Sequence, residues 1–369
     1  MELELSEEQE AFVATTRRFL AAECPTTAMR ALEHDPAGFD PSVWARGAEL
    51  GWTSLLVPES RGGGSLSEHG LSDLVLVAEE MGHLVAAGPL VPVNVVAEAI
   101  GRHGSDEQCA EVLPGLLDGS AVAAWCGPTP VQARRVDGGL VLQGSCSPVE
   151  AGAQAAHLLV AVELDGALTQ LLLRADAPGV VVTPLEGLDL VRRFAEVRFD
   201  DAEVDPDTAV LGALGGAAAA IDRQGQVACV LQCAETVGAI DTVFAMTLEY
   251  LGDRYSFGRP LSSYQALKHR LADDKMWLES CLAIAGAAAR AVAEERTDAG
   301  EVVSAAKVWI GPHATELIQD CIQLHGGIGV TWEHDLHLYL RRVTVNRSTH
   351  GTPEEHAARI ADRLLGAAS

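Results

Sequence analysis

Basic side chains are scarce in this sequence: 26 lysines and arginines stand against 52 aspartates and glutamates, a formal net charge of −26. A surface of that sign repels nucleic acid and anionic lipid, so any anionic ligand must be met by positive charge gathered in a site. Paired cysteines are lacking too. The eight cysteines show no CxxC pair and no Cys/His spacing suited to a metal, so no metal site is expected. Cys229, Cys233 and Cys281 sit in apolar helical patterns, as reduced, buried thiols of an intracellular protein would. There is no run of about twenty uncharged apolar residues, and the segment opening Met1-Glu2-Leu3-Glu4 has neither a basic nor an apolar leader region. A cytoplasmic protein without membrane spans is expected. Internal repeats are absent, which excludes a solenoid.

What is present changes character twice along the 369 residues. Residues 1–120 carry helical periodicity, opening with Ser6-x-x-Gln9, the pattern of a capping box. Helices are predicted at 41–49, 71–81, 93–103 and 106–117. Across 121–212 the pattern shortens to Val- and Leu-rich runs at 121–125, 140–143, 157–162, 168–173, 180–183 and 195–199, separated by Asp-Gly and Gly-Gly turns. Beyond 213 the helical pattern returns in longer, alanine-rich pieces at 216–251, 264–296, 298–324 and 353–365, as in a four-helix bundle. The expected fold is α+β and mainly α: a helical domain at 1–120, a β-barrel or sandwich domain at 121–212 and a helical bundle at 213–369.

Three stretches carry chemistry. Arg254-Tyr-Ser256-Phe257-Gly258, followed by Gln265-x-x-x-His269, puts a cation, an aromatic ring and an amide in an ordered break between two helices, as a phosphate-bearing cofactor requires. Read alone, it is equally a capped helix end with a solvated arginine. Gln323-Leu-His-Gly326-Gly327-Ile-Gly329 ends a helix with glycines that permit positive φ and close approach of backbone N–H groups to an anion, or simply cap the helix. It is no dinucleotide fingerprint, because no strand precedes it. Asp335-Leu-His-Leu-Tyr-Leu-Arg341-Arg342, with His350-Gly351-Thr352 beyond it, reads as a solvated basic helix end.

In that order, and with Leu50-Gly-Trp-Thr, Val57-Pro-Glu-x-x-Gly-Gly, Glu79-Glu-Met-Gly, Leu271-Ala-Asp and Leu188-Asp-Leu-Val-Arg-Arg-Phe-Ala, these motifs resemble the acyl-CoA dehydrogenase family over nearly the whole chain. The resemblance implies an FAD enzyme that desaturates an acyl-CoA: a carboxylate takes the α-proton, flavin accepts the β-hydride and hydrogen bonds stabilise the thioester enolate. It implies that Arg254, Ser256, Phe257, Gln265, Gln323, Gly326 and Gly327 hold the diphosphate and adenosine of a neighbouring subunit's FAD.

Two departures qualify that implication. The family's glutamate precedes Gly-Thr, where this chain has His350, or lies on the first helix of the bundle, where it has Ala228. Glu354 and Glu355 are displaced by about 6 Å along a helix. The segments that pack against a chain's own flavin ring are also altered, with Pro148 and Glu150 near the usual Trp and Thr/Ser positions, and an acid there would disfavour the anionic reduced ring. The expectation is therefore a non-catalytic subunit of an actinobacterial-type α2β2 heterotetramer, completing the FAD site of a catalytic acyl-CoA dehydrogenase partner. That partner would bind most of the acyl-CoA, and an electron-acceptor flavoprotein would reoxidise the complex. The alternatives are an active homo-oligomer using His350 or another base and a non-enzymatic binding protein on the same scaffold.

Overall fold

The computed structural model describes residues 5–366. Six helices come first: α1 (Glu7–Glu23), α2 (Thr26–Ala31), α3 (Pro41–Glu49), α4 (Gly70–His83), α5 (Leu90–His103) and α6 (Asp106–Leu117). The capping box is formed: Gln9 N–H donates to Ser6 Oγ at 3.2 Å, and Ser6 N–H donates back to Gln9 Oε1 at 3.1 Å.

One mixed sheet of eight strands follows. Its members are β1 (Ala123–Trp125), β2 (Val131–Val136), β3 (Gly139–Glu150), β4 (His157–Leu164), β5 (Ala167–Arg174), β6 (Val180–Leu185), β7 (Phe194–Val204) and, after the short helix α7 (Pro206–Ala209), β8 (Val210–Leu211). The order is β6-β7-β3-β2-β4-β5-β8, with β1 beside β4. Leu142, Leu158, Val160, Val197 and Phe199 fill its apolar core. Strand β2 is not among the predicted runs, because it buries little and alternates with polar Gln132, Arg134 and Arg135. Strand β3 runs on to Glu150, beyond the predicted 140–143, by shifting register between Leu142 and Gly144 and again between Cys146 and Val149.

The C-terminal part contains α8 (Ala218–Asp253), a two-stranded hairpin of β9 (Tyr255–Ser256) and β10 (Arg259–Pro260), then α9 (Gln265–Ala293), α10 (Ala299–His325), α11 (Leu336–Ser348) and α12 (Pro353–Gly366). The chain is thus α+β and mainly helical. Helix α8 is buried on all sides between Val227 and Ile240, which makes it the core helix. By length and composition α8 and α9 are both apolar enough to cross a membrane, but 89% of the apolar window of α8 is buried inside the protein, against 39% for α9. Helix α4 lies against α8 at a pair of glycines: a Cβ on Gly82 would sit 2.0 Å from the Glu235 carbonyl oxygen, and one on Gly238 would sit 2.1 Å from that of Glu79.

Helix α11 corrects the reading of Arg341–Arg342 as a solvated basic end, since Arg342 is only 1% exposed. Carboxylates from two other parts of the chain neutralise it.

Candidate functional site

Helix α8 ends at Arg254, whose N–H donates to the Tyr250 carbonyl at 2.9 Å, and the chain then turns back in a tight hairpin. Ser256 pairs with Arg259, so the loop is Phe257-Gly258, with φ of 49° and 80°. That is the left-handed geometry of a two-residue turn, natural for Gly258 and strained for Phe257. Nothing in the fold hides this aromatic ring: Phe257 is 99% exposed and Tyr255 64%. The hairpin is nonetheless held firmly. Tyr264 donates its hydroxyl to the Ser256 carbonyl at 2.7 Å, and the Arg259 guanidinium lies 3.8 Å from the centre of the Tyr264 ring. Among the described residues the Arg254 guanidinium has no ion-pair partner.

The fold brings the glycine turn to the same end of α8. His325, the last residue of α10, stacks on Tyr250 with ring centres 4.4 Å apart, and the Tyr250 hydroxyl donates to the His325 carbonyl at 3.1 Å. Gly326 follows at φ 65°, ψ −139°, a conformation open to glycine alone. A Cβ on Gly258, Gly326 or Gly327 would meet no atom of this chain within 4 Å, so these backbones face open space. Gln265 begins α9 with its amide 3.4 Å from His269, and Gln323 lines a groove between α9 and α10. Tyr250 thus ties the glycine turn to the hairpin end of α8, and the backbone at Gly258, Gly326 and Gly327 faces open space, while among the described residues no hydrogen bond links Gln265 or Gln323 to Arg254.

The two places where a catalytic carboxylate is expected hold none. Ala228 is fully buried in α8. His350 has φ 57° in the turn between α11 and α12, lies tilted by 31° against Trp125 with ring centres 5.5 Å apart, and has no partner for Nε2 among the described residues. Burial, aided by the nearby Lys307 and Arg192 cations, pushes its imidazole down to about 3, so it is neutral at physiological pH and a feeble base. Lys307 itself is buried and pins this turn, donating to the carbonyls of Asn346 at 2.6 Å and Thr349 at 2.8 Å. Around His350 lies a cleft of about 400 Å³ walled by Trp125, Ile221, Cys229, Ser304 and His356. Its two carboxylates are Asp222, exposed at the rim, and Glu301, paired with Arg363. Glu355 caps α12, accepting from Thr352 N–H at 2.8 Å.

A buried polar junction was not anticipated as a unit. Arg342 donates to Asp189 and Glu235, each at 2.5 Å, and to the carbonyls of Ala86 and Val85 at 3.2 Å. Arg192 reaches Glu235 at 2.8 Å, Glu150 at 3.2 Å and the Asn346 amide oxygen at 2.5 Å. The two guanidinium groups hold the Asp189 and Glu235 carboxyls below the usual range, whereas burial holds Glu150 above it. Glu150 is therefore not a bare negative charge, because Arg192 shares its pocket. The signal lay in Leu188-Asp-Leu-Val-Arg-Arg, but spacing alone does not disclose that Asp189 and Arg192 point inward.

Known proteins can now be set beside this geometry. The profile of the acyl-CoA dehydrogenase N-terminal domain matches residues 6–120 and that of the C-terminal domain residues 215–365. Among curated relatives, the acyl-CoA dehydrogenase IpdE2 of Mycobacterium tuberculosis is 29% identical over 364 residues, covering 97% of this chain and 98% of that protein. Among solved structures, a Tcur3481-Tcur3483 steroid ACAD variant is 29% identical with a TM-score of 0.88, covering 98% of this chain and 99% of that one. The ChsE4-ChsE5 complex from Mycobacterium tuberculosis is 26% identical with a TM-score of 0.89, covering 99% of both chains. Motifs, fold and full-length similarity agree: this chain belongs to the acyl-CoA dehydrogenase family.

Proposed function

We propose that this chain is the base-lacking subunit of an FAD-dependent acyl-CoA dehydrogenase built from two kinds of chain, and that its hairpin clamps the flavin nucleotide held mainly by the partner. FAD, when bound, accepts the hydride removed from an acyl-CoA thioester. The chain's own residues supply binding and orientation. Arg254 offers the diphosphate a planar, permanently charged donor fork, and the open backbone at Gly326 and Gly327 permits close approach, the Gly326 N–H being already given to the Gln323 carbonyl. Ser256, Gln265 and Gln323 add polar contacts, and Phe257 supplies an aromatic face. The observation that carries this reading is the outward-facing hairpin, where an aromatic ring, 99% exposed, occupies a left-handed turn position that suits glycine.

The in-chain ring site does not fit a flavin equally well. Glu150, at the position expected to pack against the ring, is engaged with Arg192 inside the buried junction. Neither His350 nor Ala228 can take an α-proton, so the partner has to bring the carboxylate. Similarity to a steroid ACAD and to a ChsE4-ChsE5 complex supports a second chain and a bulky, steroid-type acyl-CoA. An electron-acceptor flavoprotein completes the cycle, and the eight unpaired, buried thiols suit a cytoplasmic enzyme.

The test is purification of the chain alone and with its co-expressed catalytic partner. The lone chain is expected to carry no flavin and no desaturase activity, and the complex about one FAD per pair of chains. Full flavin loading and turnover by the lone chain would refute the proposal. In the complex, Arg254→Ala removes a charge-assisted contact and is expected to weaken FAD retention ~10-fold or more, read as flavin released on gel filtration.

A further inference from the structure

Helices α9 and α10 border a groove of about 440 Å³ that shares no lining residue with the His350 cleft. Its walls are acidic: Asp273 and Asp274 come from α9, Glu316 and Asp320 from α10, and Arg270 is the single cation among them. Arg270 is already committed, donating from Nε to Asp320 at 3.0 Å. Asp274 is the telling member. It lines the groove yet is 1% exposed, and its Oδ2 has no hydrogen-bond partner among the described residues. A buried carboxylate oxygen with nothing to accept from costs the fold desolvation energy that no intramolecular bond offsets. Burial and the neighbouring Asp273 push the Asp274 carboxyl up to about 6, with Arg270 only partly opposing them.

The lining suits an organic cation. Among the described residues no group of three or more His, Cys, Asp or Glu side chains is placed to hold a metal ion. Carboxylates stand on two facing helices, and Trp277 lines the same groove beside His313, with ring centres 5.4 Å apart. A guanidinium suits such a slot better than an ammonium, because its fixed fork of donors spans separated carboxylates while its face lies on an aromatic ring. Position indicates where that cation comes from. Gln323, one of the residues of the proposed flavin clamp, lines the groove, so on that reading the groove adjoins the surface that meets the partner. Helix α9 is apolar but only 39% buried over its most apolar window, and Met276 beside the groove is 60% exposed.

We propose that the groove between α9 and α10, floored by Asp274, receives an arginine side chain of the catalytic partner subunit. The proposal rests on the two-chain reading given above and names the contact that makes the pairing selective. The lone chain carries a buried, unsatisfied carboxylate, and the complex satisfies it.

The experiment uses the full chain and the catalytic dehydrogenase chain with which it co-purifies. Native mass spectrometry first establishes whether the complex contains both chains, and the dissociation constant is then measured at about 0.15 M NaCl. Asp274→Asn keeps the shape and removes the charge; it is expected to weaken association ~10-fold while leaving the lone chain's Tm unchanged or raised. A purely structural carboxylate would instead lower Tm and spare the association. Glu316→Gln, on the exposed wall, is the second variant and is expected to weaken association ~3-fold. If both chains assemble but neither substitution changes the dissociation constant by ~2-fold, the groove is not the contact and the two-chain reading stands. Should the wild-type chain assemble only with itself, the two-chain reading fails and the arginine proposal fails with it.

Discussion

His350 shows how a single replacement alters what a position can do. An imidazole enclosed at that site stays neutral because its cation would be desolvated beside Lys307 and Arg192. His356, 3.1 Å from the His350 carbonyl, is likewise held down to about 4 from an ordinary 6.5. The unfolded chain takes up protons on both rings as pH falls below about 6.5, whereas the native chain refuses them until about 3 to 4. Stability contributed by these neutral rings is therefore full above about pH 6.5 and is lost as the pH falls toward 4. The expected outcome is that Tm falls between about pH 7.5 and pH 5, and falls less in His350→Gln, when both are followed by calorimetry. The same variant should leave turnover of the two-chain complex within ~2-fold of wild type, because a ring this acidic is no base for the reaction.

At the scale of the element, the hairpin carries strain at Phe257, whose φ of 49° suits glycine better than an aromatic residue, and the proposed flavin contact would account for keeping it. Phe257→Gly relieves the positive φ and is expected to stabilise the lone chain by about 1 kcal/mol while weakening flavin retention in the complex. Opposite shifts in urea midpoint and flavin content would establish that trade; parallel shifts would refute it. The ordered break between α8 and α9 was legible, because Arg, Phe and Gly fall between two periodic helices, but its two short strands β9 and β10 were not. Helix α11 was less legible, since an Arg-Arg pair looks solvated until its carboxylates are known. Those carboxylates lie far away in sequence: Asp189 before β7 and Glu235 on α8. Strand β2 was lost for a different reason, namely that a strand exposed along much of its length carries little apolar signal. Asp274 was invisible because Leu271-Ala-Asp-Asp does not tell which of the two acids is buried.

For the whole molecule, the polar junction joins three parts that helical or strand periodicity treats separately. Arg342 on α11 holds the chain between α4 and α5, the segment before β7, and the centre of α8. A buried pair of this kind adds little net stability when intact, but removing one partner leaves an uncompensated charge. Arg342→Met should therefore destabilise by about 3–5 kcal/mol, lowering the urea midpoint. The loss should appear at once in tryptophan emission from Trp44 in α3 and from Trp309 in α10, if the parts unfold as one. Resolved transitions would mean that they are coupled more weakly than the contacts imply.

All eight thiols are buried and unpaired, and they are spread through every part of the fold: Cys24 and Cys109 among the first helices, Cys126 and Cys146 in the sheet region, and Cys229, Cys233, Cys281 and Cys321 in the C-terminal helices. Each is shielded from a water-borne alkylating reagent until its own neighbourhood opens. The protein thus carries an internal set of clocks, and the order in which mass tags arrive on these sulfurs during a timed labelling pulse reads out which region breathes first, with no probe engineered in.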